Sequence, residues 1–109
     1  MINKSSLPPF VKFLTHNCDS WIIGGACLEE NPKDFDIFVP LKNWEIACNF
    51  LHDKDVTINS LGGIKYFDSY SNKNVDIWTG NMENFLSSDL FKIAIHLKSG
   101  NIIKNIKYD

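Results

Sequence analysis

At 109 residues, 44% of them hydrophobic and 13% aromatic, the chain suits one compact domain with a substantial core. A net charge of −2 and a pI near 5.8 exclude the global basic field expected of a non-specific nucleic-acid binder. All eleven basic residues are lysine, which excludes bidentate guanidinium recognition of phosphate; any phosphate contact falls to lysine, backbone N–H groups or metal.

In chain order, "LPPFVKFLTHN" (Leu7 to Asn17) predicts a short helix opened by Pro8 and Pro9, with Phe10, Phe13 and Leu14 as its core stripe. "SWIIGG" predicts a short strand ended by Gly24 and Gly25. "ACLEENPK" predicts a brief helical turn or loop, because Pro32 opposes a long helix. "DFDIFVP" predicts a strand in which Phe35, Ile37 and Val39 alternate with Asp34, Asp36 and Phe38. "LKNWEIACNFLHD" is the clearest helix, with Trp44, Ala47, Cys48 and Leu51 on one stripe. "VTINS" and "GGIKYFDSY" predict two strands parted by Gly62 and Gly63. "SNKN" predicts a turn, "VDIWT" a strand, and "NMENFLSSD" a helical turn burying Met82, Phe85 and Leu86. In "LFKIAIHLKSGNIIKNI", Ser99 and Gly100 between apolar runs predict a C-terminal β-hairpin, with a helix through Lys92–Lys98 as the rival. The fold class is therefore α+β (or α/β), a mixed sheet of about four to six strands with helices mainly on one face.

Cys18, Cys27 and Cys48 are odd in number and lack CxxC spacing, so reduced thiols in a cytoplasmic protein are expected. The N-terminus lacks the apolar core of a signal peptide, and no run approaches a membrane span. Richness in Asn, Lys and Ile fits an AT-rich genome. His16, His52 and His96 have no ligand spacing, and a Cys27–His96 hydrolase has no supporting motif.

The chemistry concentrates in the acids. Asp34 and Asp36 stand on one face of a strand, and Asp76 in "NVDIW" sits inside a second β-like run. Aspartate is depleted in strands, and three such carboxylates repel one another. A hard divalent cation resolves that conflict and commonly shares its coordination with substrate phosphates. Two such ions roughly 3.5–4 Å apart serve phosphoryl chemistry. Gly24 and Gly25 at a strand end let backbone N–H groups approach an anion. Each element alone has a plainer meaning: a solvated edge for the DxD, a turn for the glycine pair, a turn cap for Asp76. Together, in this order and strand context, they predict a nucleoside-triphosphate site.

"IIGGACLEENPKDFDIFVP" followed by "NVDIW" resembles the nucleotidyltransferase superfamily typified by DNA polymerase β, over roughly Trp21 to Thr79. The "GGA" is similar to the tRNA-nucleotidyltransferase and poly(A)-polymerase-like branch. The resemblance implies a single minimal catalytic domain over residues 1–109, with Asp34, Asp36 and Asp76 binding Mg²⁺ or Mn²⁺. Asp76 would also help deprotonate the attacking hydroxyl. Gly24 and Gly25 would cradle the β- and γ-phosphates; Lys65, read from its place after the Gly62–Gly63 turn on the strand between the acidic segments, is either a further nucleotide contact or an ordinary surface lysine. The implied reaction transfers a nucleoside monophosphate from an NTP, ATP foremost, to an acceptor hydroxyl on an RNA end or a protein, and pyrophosphate leaves. Cys27-Leu28-Glu29 stands where that branch carries Arg-Asp, and Ala26 where many members carry a hydroxyl. Small phage and bacterial members look similar, and some act beside a separate helical partner, as in toxin–antitoxin pairs. The alternative is a non-catalytic binding or regulatory module on the same fold, an antitoxin-like partner or nucleotide sensor; a structural protein with a solvated acidic edge is a third. Lys33, Glu29 and Glu30 are expected to be ordinary surface charges, and Tyr66 and Trp78 either core or base-stacking aromatics.

Overall fold

The computed structural model describes residues 7–58 and 63–108. Pro8 and Pro9 open helix α1 (Pro9–Asn17), whose Phe10, Val11 and Leu14 are buried. Strand β1 (Trp21–Ile23) is buried along its length and runs into a 3₁₀ turn, Gly24–Leu28. Strand β2 (Asp34–Pro40) leads through a second 3₁₀ turn, Leu41–Asn43, into α2 (Trp44–Leu51), which buries Ala47 and Leu51. Strands β3 (Val56–Ile58), β4 (Ile64–Asp68) and β5 (Lys73–Gly80) follow. Asn81 then caps α3 (Met82–Ser87), its side-chain oxygen accepting the N–H of Glu83 at 2.8 Å. Strands β6 (Ile93–His96) and β7 (Ile102–Lys104) form the antiparallel C-terminal hairpin, with Gly100 at φ 77° in its turn.

The sheet order is β3-β4-β5-β2-β1-β6-β7. Among the described residues every pairing is antiparallel except β2 with β5. A parallel pair needs a long crossover, and here α2, β3 and β4 supply it. Period-2 alternation then divides the sheet into two faces. Ile22, Phe35, Ile37, Val39, Val75 and Ile77 pack with Phe10, Leu14, Ala47 and Leu51 of the two longer helices. On the opposite face Trp21, Ile23, Phe38, Phe91 and Ala94 pack with Phe85 of α3. There the Phe38 and Phe85 rings stack at 3.9 Å between centroids, and Phe85 and Phe91 at 4.5 Å.

The expected mixed sheet with a C-terminal hairpin is what the chain adopts, with α1 and α2 on one face and α3 on the other. Among the described residues the sheet has seven strands, where about four to six were expected. Leu86, predicted to be packed, is 46% exposed; from the same short helix Phe85 is buried and Met82 packs partly buried against its cluster, as expected. The "SNKN" turn ends earlier than expected: Lys73 and Asn74 already belong to β5. Gly62 lies outside the described residues.

Candidate active site

The crossover fixes the central geometry. In the parallel ladder Asp36 lies abreast of Asp76, and Asp34 abreast of Asn74. Alternation turns Asp34, Asp36, Asn74 and Asp76 to the α3 face, where Asp34 is exposed and Asp36 and Asp76 are half-buried. On the far side of β5, Lys65 of β4 is the cross-strand partner of Asp76. On the far side of β2, Ile23 pairs with Asp36, so Gly24 emerges beside the same carboxylate.

Gly24 holds φ 74°, a left-handed conformation that a side chain disfavours, and a Cβ there would stand 3.7 Å from Asp36 Oδ2. Gly25 is exposed, with no atom within 4 Å of where a Cβ would sit. The turn thus brings backbone up to the acid on one side and leaves it open to solvent on the other.

The electrostatics are unbalanced. Burial pushes the Asp36 carboxyl above its ordinary pKa; the Trp78 indole N–H opposes this, Asp76 and Asp34 raise it further, and Lys65 draws it down. Trp78 Nε1 donates to Asp36 Oδ1 at 3.5 Å. Asp76 Oδ1 is buried with no hydrogen-bond partner among the described residues. A buried acceptor in that condition is one that a bound ion, a ligand or a water can satisfy. Among the described residues, no three His, Cys, Asp or Glu side chains close into a finished metal cage.

The structure thus brings Asp34, Asp36, Asp76, Gly24 and Lys65 to one edge-to-edge patch, with exposed Gly25 next along the turn. Tyr66 turns the other way, buried in the helix-covered core, and is no base platform. Trp78 faces the site instead, and the signal for it was its spacing: it stands two residues after Asp76 on the same strand. Cys27 faces the helix-covered core, its Sγ donating to Ile22 O at 3.2 Å, and burial raises its pKa to about 11. His96 packs on Trp21 and contacts Ser99 and Asp19, so no Cys27–His96 pair exists. Among the described residues, no helix is long and apolar enough to cross a membrane.

No family profile matches the sequence, and no curated protein sequence does. Solved structures do match the fold. The Thermotoga maritima CCA-adding enzyme complexed with tRNA gives a TM-score of 0.58 at 22% identity, over 87% of this chain and 27% of that one. A CCA-adding enzyme in complex with CTP gives 0.59 at 20% identity, over 93% and 31%. A tRNA nucleotidyltransferase complexed with a primer tRNA and an incoming ATP analog gives 0.59 at 16% identity, over 89% and 34%. The fold is therefore nucleotidyltransferase-like, and the chain spans between 27% and 34% of the length of these three structures.

Proposed function

We propose that this chain is a metal-dependent nucleotidyltransferase that moves a nucleoside monophosphate from an NTP, ATP foremost, onto an acceptor hydroxyl of an RNA end or a protein. The observation that carries this reading is the abreast placement of Asp36 and Asp76 on the parallel β2–β5 pair, beside the Gly24 turn. The donor set fits a hard cation such as Mg²⁺ or Mn²⁺: carboxylate oxygens only, one of them the unpartnered Asp76 Oδ1. Asp34, Asp36 and Asp76 would hold it. Once bound, the cation supplies positive charge against the triphosphate and the departing pyrophosphate.

The remaining roles belong to the chain. Backbone N–H groups of the Gly24–Gly25 turn cradle the β- and γ-phosphates, and Lys65 adds a point charge from across Asp76. Asp76 accepts the proton of the acceptor hydroxyl. The freed oxygen forms a bond to the α-phosphorus, the bond from that phosphorus to the α–β bridging oxygen breaks, and the electron pair leaves with pyrophosphate. Positioning and charge neutralisation supply the rate. A separate helical partner protein that grips the acceptor is part of the proposal.

The lack of a closed three-carboxylate cage favours a second reading, a module that binds nucleotide without turning it over. Incubation with Mg²⁺, each NTP and candidate acceptors decides between them. Transferase activity releases pyrophosphate, and Asp36→Asn lowers the rate by about 10²-fold or more with circular dichroism unchanged. Nucleotide binding without release under any acceptor selects the second reading. No nucleotide binding at all ends both.

A further inference from the structure

Helix α1 has two unlike flanks. Phe10 and Leu14 are buried in the core, and Phe13 closes the flank toward α2, its ring centroid 4.8 Å from that of Phe50. The other flank carries Lys12, Thr15 and His16 at i, i+3 and i+4, with no large apolar side chain to fill the space beside it. That space is a groove of about 370 Å³ between α1 and the β6–β7 hairpin.

Its floor is a cross-strand row. Ile22 pairs with Ile95 and Ile95 with Ile102, so all three stand on the face that carries α1, and Leu97, two residues after Ile95, follows them. Cover fades along the row: Ile22 is 2% exposed, Ile95 half-buried and Ile102 52% exposed. The His96 ring faces the other way, against Trp21, and takes no part.

The rim is cationic. Lys12 and Lys98 are exposed and line the groove with His16, while among the described residues no aspartate or glutamate does. Among the same residues neither lysine has a carboxylate within ion-pair distance, although the chain as a whole carries a net charge of −2. An apolar floor beneath uncompensated positive charge complements an apolar body that bears one anionic head. Size then separates a small molecule from a protein. The groove falls within the range of about 300–1,000 Å³ usual for small-molecule sites. A stable protein interface takes about 800 Å² from each partner, and the apolar surface open here is little more than Ile102 beside half-buried Ile95 and Leu97.

We propose that this groove binds a small amphiphilic anion such as a medium-chain carboxylate, its apolar body on Ile95 and Ile102 and its head at Lys12 and Lys98. The groove lies on the sheet face opposite the strand carboxylates, and the proposal stands apart from the nucleotidyl-transfer reading.

The test titrates the full chain with anilinonaphthalene sulfonate, an apolar fluorophore with one anionic group, and then displaces it with decanoate, decanol or Mg²⁺–ATP. A single saturable site is expected, emptied by decanoate and untouched by Mg²⁺–ATP. Ile102→Asp should weaken probe binding by about tenfold or more with circular dichroism unchanged. The double variant Lys12→Glu, Lys98→Glu should weaken decanoate by about fivefold and leave decanol as it was. Should Ile102→Asp fail to fold, the lysine pair on the surface still decides the matter. Displacement by Mg²⁺–ATP overturns the proposal by placing the probe at the carboxylate site. Equal loss of decanoate and decanol in the double variant overturns it too, as does probe binding that no variant alters or no saturable binding at all. A dimer in sedimentation that Ile102→Asp dissociates assigns the groove to a second copy. Binding of an acidic amphipathic peptide but not of decanoate assigns it to a partner helix. Either of these also overturns the proposal.

Discussion

The two faces of the sheet are written by the same strands in alternation, yet they meet opposite fates. On one, Phe35, Ile37, Val75 and Ile77 are 0–1% exposed under α1 and α2. On the other, β2 passes from exposed Asp34 through half-buried Asp36 to buried Phe38 within five residues. Only the Phe38 end is roofed, by Phe85 and Phe91. The first face does nothing but exclude water. The second is dry at one end and open at the other, and its carboxylates lie at the boundary, where burial raises the cost of their charge while leaving them within reach of a ligand. Helices stacked on both halves of that face would have buried the acids; none would have left them as ordinary solvated charges.

The largest effect should come from the closed face. Phe35→Ala empties a ring-sized volume beneath α1 and is expected to cost about 3–5 kcal/mol in urea denaturation, enough to unfold a marginal domain. A cost below about 1 kcal/mol would mean the helices do not seal that face. The open face should respond in the opposite sense. Burial raises the Asp36 pKa in the folded state, so the folded chain binds more protons than the unfolded one, and this contribution favours folding below the unfolded value and is lost as pH rises through the raised one. At neutral pH without metal, Asp36→Asn is therefore expected to raise Tm. The gap to the wild type should shrink as the solution is acidified, and should narrow when Mg²⁺ is added to both. A lower Tm for the variant in metal-free buffer would break the contrast between the faces.

The smallest effect tests the contact between them. Trp78 Nε1 lies 3.5 Å from Asp36 Oδ1, a long hydrogen bond that stabilises the charged form. Trp78→Phe keeps the ring and removes the donor, at a cost of about 1 kcal/mol or less. It should raise the Asp36 pKa further and move the acid limb of the pyrophosphate-release profile to higher pH. An unmoved limb would separate the indole from the chemistry.

Much of this was legible in the chain itself. Alternation in "DFDIFVP", the glycine pair and "NVDIW" identified the strands, the face shared by Asp34 and Asp36 and the turn beside them, because a strand's two-residue period is a local property of the backbone. The glycine conformation at 24, the hairpin at Gly100 and the buried stripe of α1 follow from equally local steric rules. What the sequence left open depends on register between distant segments. That Asp36 faces Asp76 rather than a neighbour two residues away, that Trp78 reaches Asp36, and that Lys73 is walled in beside Asn31 are all outcomes of β2 and β5 pairing in parallel. Pairing of strands so far apart is settled by the hydrogen-bond ladder and by packing under α1 and α2, which act only once the chain has closed on itself.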